Sequence, residues 1–306
     1  MIGLIGREKD PQVALVKQRL EEMGREARVI DFRPFPRNAP ITVREDSIKY
    51  EGVELLDFSV FYLRQLGYLW PIPQHEMTRE EWDAYYGRYL EYLTAERETL
   101  SLKHSVIRIL SMERTVINPY DSFMYHRLKL YEDYLLRRKG FRVPESFATN
   151  DLSIVEKNKY VYKGLAGGLG THMVDDDFFR QHSDIFEQRP GLFQRYIKGR
   201  NLRVYVVGEE VVGAGFLLQK EAHVDSRVGQ TGVEVFDPPD EVKEDAVRAV
   251  ETLGMRFSGV DFMVTEEGEY YLLEANPSPM FAGYEMMTGH PVSRKLAELL
   301  VEYDRR

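Results

Sequence analysis

The stretch "GVDFMVTEEGEYYLLEANPSPMF", residues 259–281, has the pattern of two apolar β-strands joined by a turn, yet each strand contains a carboxylate, Asp261 in the first and Glu274 in the second. If Glu267 and Gly268 form a two-residue hairpin loop, Asp261 lies directly opposite Glu274. Like charges that face each other across two strands destabilise a sheet, because their Cβ atoms are only about 5 Å apart. The pattern therefore predicts a cation between these carboxylates.

The polar face of this hairpin has two interpretations. Side chains alternate along a strand, so Asn276 lies on the same face as Glu274, together with Met263 and Leu272. The opposite face would hold Val260, Phe262, Val264, Leu273 and Ala275. One interpretation is a solvated outer face. The other is a metal site, because carboxylate and amide oxygens are ligands that Mg²⁺ accepts while it keeps water and substrate phosphates.

The overall composition limits the class of protein. A chain of 306 residues is long for one core, so two or three domains are expected. With 43% hydrophobic and 30% charged residues, the chain is typical of a globular protein. The formal charge of −9 argues against a nucleic-acid or membrane-surface partner, since both require a basic face.

The absence of cysteine excludes a disulfide framework, a thiolate zinc site and a cysteine nucleophile. The beginning "MIGLIGREKD" does not have the pattern of a secretory signal, and no stretch approaches the ~20 apolar residues needed to cross a bilayer. We therefore expect a cytoplasmic protein that does not bind membranes. A homo-oligomer is compatible with the sequence, which leaves the oligomeric state open.

The first part of the chain has an α/β pattern. "MIGLIG" predicts a strand, Asp10 and Pro11 begin a helix that ends at Gly24, and "ARVIDF" predicts a second strand. This order favours a parallel sheet. Residues 78–112 are predicted to be helical and are rich in tyrosine, a stripe that is typical of a core or a helix interface.

A second set of elements precedes the hairpin. One helix is predicted from about Ser122 to Lys139, and "KYVYKGLAGGLGTHMV" predicts a strand, a glycine-rich loop and another strand. The loop could turn backbone N–H groups toward an anion or could be a plain hairpin tip. Lys163, at the end of its strand, is predicted to be half-buried and so to need an anionic partner. Lys129 alone would be a solvated charge.

The order of these features is more specific than any one of them. Lys129, Lys163 with its glycine-rich loop, "QRYI" at 194–197, Arg203 in "NLRVYVVG" and the acidic hairpin follow one another along the chain. Over residues 115–303 this order resembles the ATP-grasp superfamily, in particular its ribosomal-protein glutamate ligases and glutathione synthetases.

The resemblance implies a fold with α/β and α+β parts, in which the nucleotide lies between two α+β subdomains. The expected divisions are an N-terminal α/β domain at 1–118, a central ATP-grasp subdomain at 119–196 and a C-terminal ATP-grasp subdomain at 197–306. The N-terminal domain corresponds to the domain that precedes the ATP-grasp part in this superfamily.

The resemblance also implies roles for individual residues. Two lysines would contact the α- and β-phosphates and three glycines would close over the phosphates: Lys129, Lys163, Gly167, Gly168 and Gly170. A hinge would contact the adenine, with a ribose contact beyond it: Gln194, Tyr196, Ile197 and Asn201. Magnesium would be held by Asp261, Glu274 and Asn276, with Glu274 bridging two ions. Arg203 would face the transferring phosphate, and Arg227 either binds the substrate carboxylate or is a surface charge.

The implied activity is that of a carboxylate–amine ligase. Such an enzyme uses ATP and Mg²⁺, with Mn²⁺ as a substitute, to form an acyl phosphate and then an amide, and it releases ADP and phosphate. Its co-substrates would be a small-molecule or peptide carboxylate and an amine. Two alternatives stay open: a kinase for a small-molecule alcohol on the same scaffold, and a nucleotide-binding regulatory module without turnover.

Overall fold

A computed structural model describes residues 1–65, 77–166, 170–186, 189–220 and 229–305, except the side chains at 85 and 183–186. The chain divides into two compact units. The first comprises Met1–Tyr120 with Leu296–Arg306, and the second comprises Asp121–Lys295. The division of the chain at 118 and 196 stays a prediction.

The first unit is an α/β domain built on a parallel sheet. Four of its strands form this sheet in the order β2-β1-β6-β7, and three others form a small antiparallel sheet. In chain order its elements are β1 (Ile2–Ile5), α1 (Pro11–Glu22), β2 (Ala27–Ile30), β3 (Ile41–Arg44), β4 (Ser47–Tyr50), β5 (Val53–Glu54), β6 (Val60–Leu63), α2 (Arg79–Gly87), α3 (Tyr89–Glu113) and β7 (Thr115–Ile117).

The predicted first helix is confirmed at both ends. The Asp10 carboxylate accepts hydrogen bonds from the backbone N–H groups of Gln12, at 2.9 Å, and Val13, at 3.4 Å, which would otherwise lack partners at a helix start. After the helix, Gly24 adopts φ +67°, a conformation that glycine reaches without strain. The apolar stripe of Val13, Val16 and Leu20 is fully buried.

The tyrosine-rich segment forms two helices, α2 and α3, as the helical prediction required. Thr78 and Glu81 form a capping box at the start of α2. The aromatic face is largely exposed, since Tyr86 is 69% exposed, and the buried residues of α3 begin only at Thr99. Neither α3, with 25 residues, nor any other helix in the described part of the chain is long and apolar enough to cross a membrane.

The second unit contains two antiparallel sheets. The strands of one sheet follow the order β10-β9-β11-β8, and those of the other follow β14-β13-β12-β15-β16. The remaining elements in chain order are α4 (Tyr120–Arg127), α5 (Lys129–Arg138), β8 (Ser146–Thr149), β9 (Tyr160–Lys163), β10 (His172–Met173), α6 (Asp176–Phe186), β11 (Gly191–Arg195), β12 (Arg200–Val207), β13 (Glu210–Gln219), β14 (Gln230–Val235), α7 (Asp240–Thr252), β15 (Phe257–Val264), β16 (Tyr270–Asn276), α8 (Ala282–Thr288) and α9 (Val292–Asp304).

The prediction of one helix from Ser122 to Lys139 is wrong, because the chain breaks at Leu128 into α4 and α5. Leu128 has φ −111° and ψ 61°, outside the helical region. The backbone N–H of Lys129 bonds to the carbonyl of Leu165, at 3.3 Å, instead of a carbonyl one turn earlier. A tertiary contact therefore interrupts the helix and makes Lys129 the first residue of α5.

The core of the second unit lies between α7 and the five-stranded sheet. Both surfaces contribute buried apolar side chains, with fully buried residues that include Val204, Ala246, Val250 and Val260. A continuous apolar layer of this kind is the main stabilising contribution to a small domain. It fixes the inner face of β12 and β15, so their other face is the one available for a site.

The register predicted for the hairpin of β15 and β16 is confirmed, since Asp261 pairs with Glu274. The predicted two-residue loop is wrong. The loop has three residues, and it is closed by a hydrogen bond of 2.9 Å from Thr265 N to Glu269 O and another of 3.1 Å from Gly268 N to Thr265 O. Gly268 adopts φ +81°, which suits the left-handed position at the end of such a loop.

A bulge restores the register that the longer loop would have shifted. Phe262 pairs with Leu272, whereas Asp261 pairs with Glu274, so β16 has one extra residue, Leu273. The bulge exchanges the faces that we predicted for Leu272 and Leu273: Leu272 is 2% exposed and belongs to the core with Phe262, and Leu273 is only half-buried. Beyond the bulge, the polar residues keep their predicted face.

Candidate functional site

Three neighbouring strands place a row of charged side chains on one face of the five-stranded sheet. Arg203 on β12 pairs with Asp261 on β15, which pairs with Glu274 on β16. The Arg203 guanidinium donates two hydrogen bonds to the Asp261 carboxylate, both at 2.7 Å. The Lys129 ammonium lies 2.7 Å from Oε2 of Glu274. We expected one cation between the two carboxylates. The structure instead has one protein cation at each of them, Arg203 at Asp261 and Lys129 at Glu274.

Beside this row of charged side chains, Gly259 allows a close approach of the chain. Gly259 stands opposite Asn276, and a Cβ atom added to Gly259 would lie 2.8 Å from Cβ of Pro279 and 3.5 Å from Cδ of Arg203. The first distance is shorter than real contacts allow. The absence of a side chain at 259 therefore lets Pro279, in the segment that follows Asn276, pack closely against β15.

The charges of the row stabilise one another in a buried setting. Burial disfavours the protonated form of Lys129, but the carboxylates of Glu132 and Glu274 outweigh burial and raise the pKa of Lys129. Burial would raise the pKa of Glu274, but the Lys129 ammonium holds that pKa well below its usual range. Burial likewise opposes the charge of Arg203, and Asp261 outweighs it and raises the pKa of Arg203. Lys129 and Glu274 are therefore an ion pair at neutral pH.

Two residues that the sequence analysis missed surround Lys129. Oε2 of Glu132 lies 3.2 Å from the Lys129 ammonium, and Nδ1 of His126 lies 3.0 Å from it. Burial raises the pKa of Glu132 to about 7, and burial together with the Lys129 charge lowers the pKa of His126 to about 3. His126 is thus neutral at pH 7 and accepts the hydrogen bond. The spacing of three residues between Lys129 and Glu132 on a predicted helix was a signal that could have found this pair.

A second polar chain leads to Lys163. The Lys163 ammonium donates to Oε1 of Gln194 at 2.7 Å, and Nε2 of Gln194 donates to Oδ2 of Asp133 at 3.3 Å. Burial lowers the pKa of Lys163, although the carboxylates of Glu274 and Asp133 oppose it, and burial raises the pKa of Asp133. The predicted half-buried position of Lys163 is confirmed. Its direct partner is an amide, however, not the anion that we expected.

The residues predicted to contact adenine and ribose run from Gln194 on β11 to Asn201 on β12. The backbone N–H of Tyr196 donates to the carbonyl of Lys159 at 2.8 Å, so Tyr196 can offer an adenine edge only its carbonyl. Ile197 is half-buried and comes directly after it. Asn201 is half-buried on β12, opposite Met263.

The remaining predicted residues have different outcomes. Gly167, Gly168 and Arg227 lie outside the described residues, and Gly170 lies just before β10. At the end of β16, the side-chain oxygen of Asn276 accepts a hydrogen bond of 2.8 Å from the backbone N–H of Ser278. An amide oxygen has two lone pairs, so Asn276 keeps one for a further partner.

The side-chain oxygens of Asp261, Glu274 and Asn276 are suitable ligands for a hard cation. Among the described residues, no group of three or more His, Cys, Asp or Glu side chains could hold a metal ion. The set on β15 and β16 consists instead of two carboxylates and one amide oxygen. Mg²⁺ prefers oxygen ligands and keeps water and substrate phosphates in its shell, so a set of three protein oxygens fits it.

Comparison with known proteins identifies the family. A protein-family model described as "ATP-grasp domain" matches residues 126–280. The chain is 32% identical over 191 residues to a probable alpha-L-glutamate ligase of Picosynechococcus sp., a match that covers 57% of this chain and 63% of that relative. The match thus spans less than two thirds of the relative's length.

Two solved structures are similar over almost the whole chain. The ATP-grasp ligase PsnB, complexed with a phosphomimetic variant of its minimal precursor, Mg and ADP, is 28% identical, with a TM-score of 0.83 and coverage of 99% of this chain and 98% of that one. The macrocyclase MdnC of Microcystis aeruginosa, bound with precursor peptide MdnA, is 21% identical, with a TM-score of 0.76 and 99% coverage of both chains. The second likeness concerns the fold alone.

These findings confirm the predicted fold class, an ATP-grasp fold with α/β and α+β parts. The relative and PsnB are both named as ligases, which supports a ligase that forms an amide bond with ATP, and the kinase and regulatory alternatives are not favoured. The matched region at 126–280 spans half of the 306 residues and holds the whole row of charged side chains. The chain therefore belongs to the ATP-grasp family.

Proposed function

We propose that this protein is an ATP-dependent carboxylate–amine ligase whose site is built around Arg203, Asp261 and Glu274. The observation that carries the proposal is their alignment across β12, β15 and β16, with Lys129 against Glu274. The two carboxylates and the two cations pair with one another. When ligands bind, the carboxylates could bind a metal ion and the cations could bind phosphates. A solvent-exposed hairpin does not require charged side chains that are buried in this way.

The nucleotide phosphates would be held by the chain's own cations. Asp261, Glu274 and Asn276 would hold Mg²⁺, which neutralises phosphate charge when it is bound. Once Asp261 and Glu274 are engaged, the donors of Arg203 and Lys129 become available to phosphate oxygens. Lys163 would add a further ammonium from the end of β9. Two metal ions, with Glu274 between them and Mn²⁺ as a substitute, belong to the same proposal.

The proposed reaction has two steps. A substrate carboxylate oxygen attacks the γ-phosphorus of ATP, the bond to ADP breaks, and an acyl phosphate forms. An amine then attacks the acyl carbon, phosphate leaves with the bonding electrons, and the amine loses a proton as the amide forms. Arg203 is placed to stabilise the charge on the transferring group, because its guanidinium is fixed at the row. Water must be excluded, since an acyl phosphate hydrolyses.

Peptides are the first carboxylate substrates to test. PsnB, similar to this chain over nearly its full length, is described in complex with precursor peptide PsnA2 and AMPPNP. The alternative is a small carboxylate, in line with the glutamate ligase relative. Both fit the guanidinium of Arg203, and Arg227 is a further candidate to bind the carboxylate. A cytoplasmic location, where ATP is available, stays part of the proposal.

Calorimetric titration with ADP and ATP, with and without Mg²⁺, tests the nucleotide site on the wild type and on Asp261→Asn/Glu274→Gln. We expect Mg²⁺-dependent binding that the double variant loses. A screen for ADP release with paired carboxylates and amines then tests the reaction. ADP release that needs no amine would support a kinase instead, and tight ATP binding without ADP release would support a regulatory module.

A further inference from the structure

Glu132 connects two parts of the site that belong to different elements. It lies on α5, is 1% exposed, and uses its two carboxylate oxygens for different partners. Oε2 lies 3.2 Å from the ammonium of Lys129, and Oε1 accepts a hydrogen bond of 3.0 Å from the backbone N–H of Ala275. One buried side chain therefore contacts both a lysine of the row and the backbone of the metal hairpin.

The contact with Ala275 falls at a sensitive point of the sheet. β16 is an edge strand, so the backbone groups on its outer side need partners from outside the sheet. Leu272 N bonds to the carbonyl of Arg142 at 2.9 Å, and Ala275 N bonds to Glu132. Ala275 lies between Glu274 and Asn276. Glu132 thus fixes the strand where two of the three candidate metal ligands project, just beyond the bulge.

The contact between Glu132 and Lys129 becomes more important when a metal ion and a nucleotide are bound. Lys129 is shared between Glu132 and Glu274, at 3.2 and 2.7 Å. If Glu274 binds a metal ion, Glu132 is the carboxylate that stays with the lysine. A buried ammonium without a carboxylate would be costly, and an unfixed one would be poorly aimed at a phosphate.

We propose that Glu132 is a positioning residue of the nucleotide site, which holds Lys129 toward the phosphates and keeps β16 in register for the metal. The proposal rests on the proposed function, since it concerns the same site. Glu132 itself contacts neither substrate nor metal, and it acts through Lys129 and through the backbone of Ala275.

The test is a double-mutant cycle on binding of ADP with Mg²⁺, measured by calorimetry. Glu132→Gln preserves the side-chain volume but leaves one oxygen where two donors need an acceptor. We expect it to weaken Mg²⁺-dependent ADP binding about tenfold, as the loss of a group that orients a metal ligand does. In a Lys129→Met background, we expect Glu132→Gln to add much less, because the two residues act together.

The control is Glu269→Gln, which removes an exposed carboxylate of the same hairpin that pairs with Arg142 at 2.9 Å. We expect this variant to bind like the wild type. Glu132→Gln binding that equals the wild type, or an effect that is fully additive with Lys129→Met, would overturn the positioning role alone. A wild type that binds no nucleotide would overturn the proposed function, and the positioning role with it.

Failure of Glu132→Gln to fold has its own test. Glu132→Asp keeps a negative charge beside Lys129, which also retains Glu274 as a partner, so we expect this variant to fold. Its side chain is one methylene shorter and cannot reach both the ammonium of Lys129 and the backbone N–H of Ala275 as Glu132 does. We expect Glu132→Asp to weaken Mg²⁺-dependent ADP binding as well, and binding equal to the wild type would overturn the positioning role.

Discussion

Lys129 and Glu274 are 145 residues apart in the chain, and their charged atoms lie 2.7 Å apart. The lysine thus neutralises the carboxylate that faces Asp261 across two strands, while Arg203 neutralises Asp261 itself. Like charges in that position would otherwise destabilise the hairpin. The protein provides its own cations where we propose that a metal binds, so ligand binding is an exchange of partners.

This exchange predicts that metal and nucleotide bind together. Mg²⁺ alone must separate Glu274 from Lys129 and Asp261 from Arg203, so it leaves Arg203 without its carboxylate and Lys129 with Glu132 alone. Phosphates supply the missing anion. We expect calorimetric titration with Mg²⁺ alone to give binding at least about tenfold weaker than titration in the presence of saturating ADP, a coupling of ~1.4 kcal/mol. Equal affinities would contradict the exchange.

Glu274→Ala is expected to abolish Mg²⁺-dependent turnover and to leave the fold intact. The substitution removes a proposed metal ligand from the half-buried face and takes no volume from the core between α7 and the sheet. Lys129 keeps Glu132 as a partner. ADP release measures the activity, and circular dichroism checks the fold. Unchanged activity would reject Glu274 as a ligand.

Lys163→Ala is expected to weaken ADP binding about tenfold, because a positive charge beside the phosphates is lost. Lys157→Ala is the matched control, since Lys157 is an exposed lysine of the same sheet region that pairs with Asp176. Calorimetry on both variants gives the comparison. Equal affinities for the two would remove Lys163 from the site.

Gly259→Ala is expected to lower the free energy of unfolding by about 1–3 kcal/mol, since the new Cβ would overlap Pro279. Gly283→Ala on α8 is the control: nothing lies within 4 Å of its added Cβ, and alanine favours a helix by roughly 1 kcal/mol. Urea unfolding measures both variants, and a stable Gly259→Ala would contradict the close approach.

The first unit should lose stability in acid through Asp304. Burial alone would raise the pKa of Asp304, but hydrogen bonds from Ser59, the Met1 ammonium and Arg25 lower it. A carboxylate with a lowered pKa contributes stability above its unfolded pKa, near 4, and this contribution is lost as pH falls through the folded value. We therefore expect Asp304→Asn to destabilise the protein at pH 7 and to have little effect near pH 2. Urea unfolding across this range measures the difference, and a constant difference would contradict the shift.

The pairing of Asp261 with Glu274 could be predicted because it depends on local pattern, although the prediction was right through two errors that cancel. A three-residue loop and a bulge at Leu273 each shift the register by one residue, in opposite senses. Neither is encoded in the alternation of apolar and polar residues. Tertiary contacts were beyond the sequence, as the interruption of the helix at Leu128 shows, where the deciding partner is the carbonyl of Leu165.

The burial of the partners of the predicted residues was the least accessible to sequence reasoning. Glu132 neighbours Lys129 through the three-residue spacing on α5, and Gln194 neighbours Lys163 because β11 pairs with β9. Only the packing of α5 against β16 brings Glu132 to the backbone of Ala275. Glu132 has the sequence features of an ordinary surface carboxylate. Its burial, at 1% exposure, is what distinguishes it.

The loop and the bulge also limit how this hairpin can change in length. Glu267 is exposed at the tip, where insertions and deletions are normally tolerated. Here, deletion of one tip residue in a hairpin that keeps its three-residue turn would slide β16 past β15 by one position. A slip of one residue turns every side chain to the other face, so Glu274 would point into the core and Ala275 toward the ligands. The most accessible turn of the hairpin is therefore the place where the chain can least change its length.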